Sequence, residues 1–189
     1  MKDTQLRGIL GLAIKKEWIY VRVNDDGSPV ELSGNPPEVS DKLPKFKVFS
    51  DTDEKIKMAS LIGKPMVISV VPDINTRVCS IQTRKFNQQA DHYPDAKFVT
   101  ISNNTIKEQE AWCAVEGVEN MQVLSDEELS FGYAMGLYIS VNGNLARSIF
   151  VVDGEGTITY REIVSEIHHE PDYLKALDAL EKLTPRVDE

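Results

Sequence analysis

Residues 66–71, Met-Val-Ile-Ser-Val-Val, form a nearly unbroken apolar run of strand length. Such a run, without polar alternation, fits a strand covered on both faces, and strands of that kind sit in sheets with helices packed against them. The chain after it keeps that pattern. Residues 77–93 place Val78, Ile81, Phe86, Ala90 and Tyr93 near one helical face and stop at Pro94. Residues 97–102 read as a second strand, and 104–117 as a second helix with Asn104 as its cap and Gly117 as its stop. Residues 122–125 form a third short strand and 126–136 a third helix. Two strands, 146–153 and 157–164, flank the turn Gly154-Glu155-Gly156. A last helix over 171–183 takes Pro171 in its first turn and sends Leu174, Leu177, Leu180 and Leu183 inward.

The order β-α-β-α-β-α-β-β-α predicts an α/β fold. Its mixed central sheet is flanked by helices, with a parallel start and an antiparallel hairpin at the end. That is a thioredoxin-like arrangement. Ahead of it, residues 18–33 alternate apolar and polar around Asp25-Asp26-Gly27, an N-terminal β-hairpin, and the proline-rich stretch 34–46 connects the two. The organisation expected is an arm over 1–17 and a single thioredoxin-like domain over 18–189. In the arm, Leu6, Ile9, Leu10, Ala13 and Ile14 make the stripe of a short amphipathic helix, weakened by Gly8 and Gly11. Its apolar stretch, 8–14, is short and lacks a small-x-small cleavage site, so it reads as an arm docked on the body and not as a targeting signal.

Charge and length exclude several function classes. The net charge of −9, with no basic block, disfavours a nucleic-acid partner. No apolar run reaches the roughly 20 residues of a spanning helix, so no membrane role is expected. Two cysteines in 189 residues do not make a disulfide scaffold. They are either buried hydrophobes or a redox pair, and a cytoplasmic location fits them. With three histidines, they show no metal-ligand spacing, so no metal is expected. Asn103-Asn104-Thr105 matches a glycosylation sequon, but a helix cap explains it, and His168-His169-Glu170 reads as a solvated loop.

Cys79 is the position with chemical potential. If its helix begins near Asn75 or Thr76, the thiol lies in the first turn, where free N–H groups and the helix dipole favour an anion. Such a place lowers a thiol's pKa from about 8.5 toward or below neutrality. It also lies beyond the carboxyl end of a buried strand, where α/β sheets bind ligands. Thr76, one turn earlier, can aim its hydroxyl at the sulfur or at a substrate oxygen, and Pro72 ends the strand without an N–H to pair. The alternative is a buried cysteine with Thr76 as an ordinary cap. Spacing alone does not separate the two.

The stretch "PDINTRVC" matches the Pro-x-x-x-Thr-x-x-Cys signature of peroxiredoxins, and "NTRVCSIQTRKFNQ" resembles the bacterial thiol peroxidase subfamily, of atypical two-cysteine type. "AWCAVEGVENMQVLSD", "ARSIFVVDGEGTI", "EPDYLKAL" and the hairpin "GSPVELSG" agree, so the resemblance spans roughly residues 20–183. It implies a thioredoxin fold and reduction of a hydroperoxide substrate by Cys79 as the peroxidatic cysteine. Thr76 and Arg147 would bind the peroxide oxygens, and Cys113 would be the resolving cysteine. It further implies thioredoxin as reductant, a homodimer, and no metal or organic cofactor. The pattern departs from the family at residues 1–17, at "DKLPKFKV", and at Val71, where an aromatic is common. A peroxide sensor or relay that turns over little is the competing function. A general dithiol oxidoreductase is disfavoured because Ser80, Ile81 and Gln82 follow Cys79 in place of a Cys-x-x-Cys pair.

Overall fold

The computed structural model describes residues 21–118 and 120–187. The expected arm over 1–17, its helix over 6–14 and the first three hairpin residues therefore lie outside the described residues. Strands β1 (Arg22–Asp25) and β2 (Ser28–Glu31) pair antiparallel as the expected hairpin. Its two-residue turn has Asp26 at φ 49° and Gly27 at φ 76°, the left-handed geometry that matches strand twist and explains the Asp-Gly pair.

Strands β3 (Lys47–Phe49) and β4 (Lys55–Lys57) and a one-turn helix α1 (Met58–Leu61) come next, in a stretch with no element expected. Three-residue strands are too short to display alternation, and β4 turns only Ile56 inward. Then come β5 (Met66–Val70), α2 (Arg77–Ala90), β6 (Lys97–Ser102), α3 (Ile106–Glu116) and β7 (Gln122–Ser125). The chain continues with α4 (Ser130–Ala134), the small hairpin β8 (Tyr138–Ile139) and β9 (Asn144–Leu145), then β10 (Ser148–Val152), β11 (Ile158–Ile163) and α5 (Tyr173–Glu181).

The central sheet has seven strands in the order β11-β10-β5-β6-β7-β3-β4. β5, β6 and β7 run parallel, while β10 pairs antiparallel with both β5 and β11, as the element order implied. Every residue of β5 is buried, which bears out the unbroken apolar run. One face carries Val67, Ile149 and Val151 against Phe86 and Ala90 of α2 and Ala176, Ala179 and Leu180 of α5. The opposite core holds Met66, Ile68, Val70, Phe150 and Val152, with Phe131 of α4 packed edge-on to Phe46 at 4.9 Å.

Four helices differ from expectation at a boundary, each for a local reason. α2 ends at Ala90 and not at Tyr93, because His92 N–H and Tyr93 N–H bond three residues back, to Gln89 O and Ala90 O, and tighten the chain into a turn. The cap of α3 is Thr105, which forms a capping box with Glu108, while Asn104 turns back to bond Ile74 and Asp73. Gly117 ends α3 at φ 64°, as expected. The third helix is cut to Ser130–Ala134 because the buried Asp126 carboxylate, five residues upstream of Phe131, accepts from the Phe131 and Gly132 N–H groups at 2.8 and 2.7 Å. In α5, Pro171 is buried ahead of the Asp172 cap instead of inside the first turn. Leu174 is 74% exposed and faces outward, because Ala176, Ala179 and Leu180 take the inner stripe.

Asp126 gives a pH signature. Burial pushes its carboxyl up to about 6, against the opposing pull of the Phe131, Gly132 and Ser130 N–H groups. The native state then holds a proton that the unfolded chain releases near pH 4, so this group's contribution falls as pH rises from about 4 to about 6. We expect the stability of the native chain relative to Asp126→Asn to be about 2 kcal/mol greater at pH 4 than at pH 7, read from urea midpoints. A pH-independent difference would refute the assignment.

Candidate active site

The turn before α2 is held from two sides. Asp73 Oδ1 accepts from Asn75 N–H, Asn75 Nδ2 and Asn104 Nδ2 at 3.0, 3.1 and 2.9 Å, and Ile74 N–H donates to Asn104 Oδ1 at 2.8 Å. Pro72 is buried just after the last sheet bond, which Val71 N–H makes to Ile101 O at 3.0 Å. Thr76 is the N-cap residue of α2, which places Cys79 three residues on, inside the first turn. The Thr76 hydroxyl is exposed and donates to Asp73 O at 3.0 Å, so its proton is engaged on the turn and not on the sulfur.

Cys79 is fully buried, and its sulfur accepts from Arg147 Nη2 at 3.2 Å. Arg147 is 1% exposed, so its charge is held inside the protein and not on the surface. Its Nε donates to Ile167 O at 2.6 Å and its Nη1 to Gln82 Oε1 at 2.7 Å. Gln82 in turn donates to Ser69 Oγ at 2.8 Å, on the buried strand β5. A rigid planar fork thus spends its N–H groups on three fixed acceptors, one of them the sulfur. A buried guanidinium is costly unless paired, and the carboxylate of Glu170 feels its charge only at longer range.

The backbone that carries Ile167 is anchored to the N-terminal hairpin. Asn24 N–H donates to Ser165 O at 2.7 Å and Ile167 N–H to Asn24 O at 3.0 Å, while Glu166 accepts from Gly27 N–H at 3.0 Å. The hairpin therefore helps to place Arg147. The segment 168–170 is exposed, as expected, and is tethered at its ends: His168 Nε2 lies 2.9 Å from Asp25 Oδ1, and Glu170 pairs with Lys85 at 2.7 Å.

Cys113 is partly buried in the last turn of α3, packed with Ile74, Trp112, Val118 and Val123 and lining a small cavity of about 170 Å³ with Asp51 and Met121. Burial, and then the Asp51 charge, push its thiol up to about 11. Both cysteines are free, so no disulfide joins them in this state. Arg84, farther along α2, pairs with Glu116 of α3 at 3.3 Å.

Sequence reasoning missed Gln82, Ser69 and the Ile167 carbonyl. It assigned the inner face of α2 from apolar residues, yet Val78 and Ile81 are only partly buried while Cys79, Gln82, Thr83 and Phe86 are buried. Those four positions follow i, i+3, i+4, i+7, so a stripe read from Cys79, ignoring polarity, finds Gln82.

Fold and site together define a cysteine-based redox protein on a thioredoxin-like sandwich. The Redoxin family model matches residues 38–177. The chain is 40% identical over 158 residues to a thiol peroxidase of Bacillus subtilis, covering 83% of this chain and 95% of that protein. It is 43% identical to a thiol peroxidase of Listeria innocua, covering 82% and 94%. Among solved structures, a peroxiredoxin-like protein from Aquifex aeolicus superimposes with a TM-score of 0.78 at 28% identity, covering 86% of this chain and 96% of that one. The chain belongs to the redoxin family and, within it, to the bacterial thiol peroxidases of the peroxiredoxins.

Proposed function

We propose that this protein is a thiol-dependent hydroperoxide reductase in which Cys79 attacks the peroxide. The observation that carries the reading is the 3.2 Å contact from Arg147 Nη2 to the Cys79 sulfur, made between two fully buried groups at a helix N-terminus. The guanidinium is a fixed counter-ion for a sulfur anion. In the reaction, the Cys79 thiolate attacks one peroxide oxygen in line, the S–O bond forms and the O–O bond breaks. The other oxygen leaves with a proton as water or alcohol. Negative charge moves from sulfur to that leaving oxygen, and Arg147 and the free N–H groups of the first turn stabilise it where it develops. With its proton on Asp73 O, the Thr76 hydroxyl offers lone pairs to a peroxide O–H. Pro72 closes the strand behind the turn. No step calls on a metal or an organic cofactor.

The product is a sulfenic acid on Cys79, which a second thiol converts to a disulfide. Cys113 is the proposed second thiol. A thiol near 11 is a poor nucleophile at neutral pH, so resolution from the closed state would be slow. Unwinding the end of α3 or the first turn of α2 does two things at once: it brings the sulfurs together and exposes Cys113 to water, where its thiol recovers an ordinary acidity. Fraying at a helix end costs little.

An external dithiol of the thioredoxin class then reduces the disulfide, in a cytoplasmic homodimer. Among the described residues no helix is long and apolar enough to cross a membrane. A sensor or relay would share the first step, so steady-state turnover with thioredoxin and its reductase is the deciding assay. We expect many turnovers per chain. After one equivalent of peroxide, peptide mapping should show a Cys79–Cys113 link within one chain, and Cys113→Ser should accumulate sulfenic and then sulfinic acid on Cys79. A Cys79–Cys79 link between chains, or native steady-state turnover in Cys113→Ser, would remove Cys113 from the cycle.

A further inference from the structure

Three polar contacts join one stripe of α2 to α3 and the turn beyond it. Trp112 Nε1 donates to Ser80 Oγ at 3.1 Å, Arg84 Nη1 pairs with Glu116 Oε2 at 3.3 Å, and Asn120 N–H donates to Asn87 Oδ1 at 3.1 Å. Residues 80, 84 and 87 are one helical turn apart on α2, 112 and 116 are one turn apart on α3, and Asn120 follows in the turn past the Gly117 cap, so the contacts come in the same order on both sides, as the rungs of a ladder. The first rung ties the residue after Cys79 to the residue before Cys113. The second lies one turn past it, so the Cys113 turn is pinned at both ends. Arg84 Nε also reaches Ser80 O at 3.4 Å, which couples the first two rungs.

We infer that this ladder is a clasp that sets how fast Cys113 reaches oxidised Cys79, with Ser80, Arg84, Asn87, Trp112 and Glu116 as positioning residues. The inference rests on the peroxidase reading above and concerns only its second step. The first rung is buried: Trp112 is 8% exposed and packs on Ile74 and Val123, so breaking it withdraws an indole from its packing and leaves two polar groups seeking water. The other two rungs lie nearer the surface and cost less to break.

The clasp acts on a competition between two reactions of one sulfenic acid. In resolution, the Cys113 thiolate attacks the Cys79 sulfur, the S–S bond forms, the S–O bond breaks, and hydroxide departs to take up the proton that Cys113 released, as water. In over-oxidation, the sulfenate attacks a second peroxide, gains an oxygen as the O–O bond breaks, and becomes the sulfinate, while the peroxide's proton leaves with the other oxygen as water or alcohol. A tighter clasp lengthens the life of the sulfenic acid and favours the second route.

Rapid-quench measurements on the full chain test this by timing the first step, loss of the Cys79 thiol, separately from appearance of the disulfide. Glu116→Gln and Asn87→Ala should each speed the disulfide step about two- to fivefold, the range that rupture of an exposed polar pair allows. Ser80→Ala should speed it up to about tenfold, since a buried hydrogen bond is lost. Arg84→Lys, which keeps the pair with Glu116, should stay near the native rate. In all four the first step should hold within about twofold, and sulfinic acid formed in excess peroxide should fall as the disulfide rate rises. Folded variants whose disulfide step is unchanged or slower would overturn the clasp while leaving the peroxidase standing. Absence of the first step in the native chain, or native steady-state turnover in Cys113→Ser, would instead overturn the reading beneath it.

Discussion

Cys79→Ser should remove peroxide reduction, lowering the rate by at least about a thousandfold while the fold persists. The oxygen replaces sulfur in a fully buried position with little change of volume, so packing against Arg147 survives. What goes is the nucleophile, because a serine hydroxyl lacks both the polarisable sulfur and a counterpart to the thiolate. Cys113 does not substitute for it. It sits on another helix, away from Arg147, with its thiol pushed up to about 11. Peroxide consumption with a thiol reductant, alongside circular dichroism, checks the result. A folded variant keeping more than a few per cent of native turnover would move the chemistry to another group.

The second large effect is expected at Arg147. Arg147→Ala should lower the second-order rate with peroxide by about 10²- to 10³-fold, the usual loss when one preorganised donor to a developing negative charge is removed. Stability should also fall, by roughly 2–4 kcal/mol, because Gln82 Oε1 and Ile167 O lose a buried donor. Arg147→Lys distinguishes the two roles. It restores a positive charge, but a single ammonium does not span the three directions taken by Nε, Nη1 and Nη2. We expect intermediate stability with a rate still at least about tenfold below native. Rates are compared well below the unfolding midpoint of each variant. An unchanged peroxide rate in folded Arg147→Ala would make the residue a structural strut only.

Much of this molecule was written in local sequence. The unbroken run 66–71 determined a strand buried on both faces, and the alternation of strand and helix signals after it determined the parallel start of the sheet and the closing antiparallel pair. The Asp-Gly turn determined the N-terminal hairpin, and the eight-residue signature over 72–79 placed Cys79 at a helix N-terminus and pointed to its family. Each of these depends on backbone preference or on periodicity within a few residues, which is why a single chain carries them.

Other features were decided only when distant segments met. The three-residue strands β3 and β4 form because the edge of β7 offers β3 a partner and β3 in turn pairs with β4. The third helix is cut short by Asp126, and Leu174 faces outward because neighbouring alanines fit closer to the sheet. The clearest case is the polar seam inside α2. Gln82 looks like a surface residue in any hydrophobic pattern, yet it is buried because Arg147, 65 residues later, needs an acceptor there. That guanidinium is held in turn by the carbonyl of Ile167, on a segment clamped by the hairpin at Asn24 and Gly27. Periodicity reports which face of an element turns inward, but a buried charge chooses its partners by distance in three dimensions, and only the tertiary fold supplies that distance.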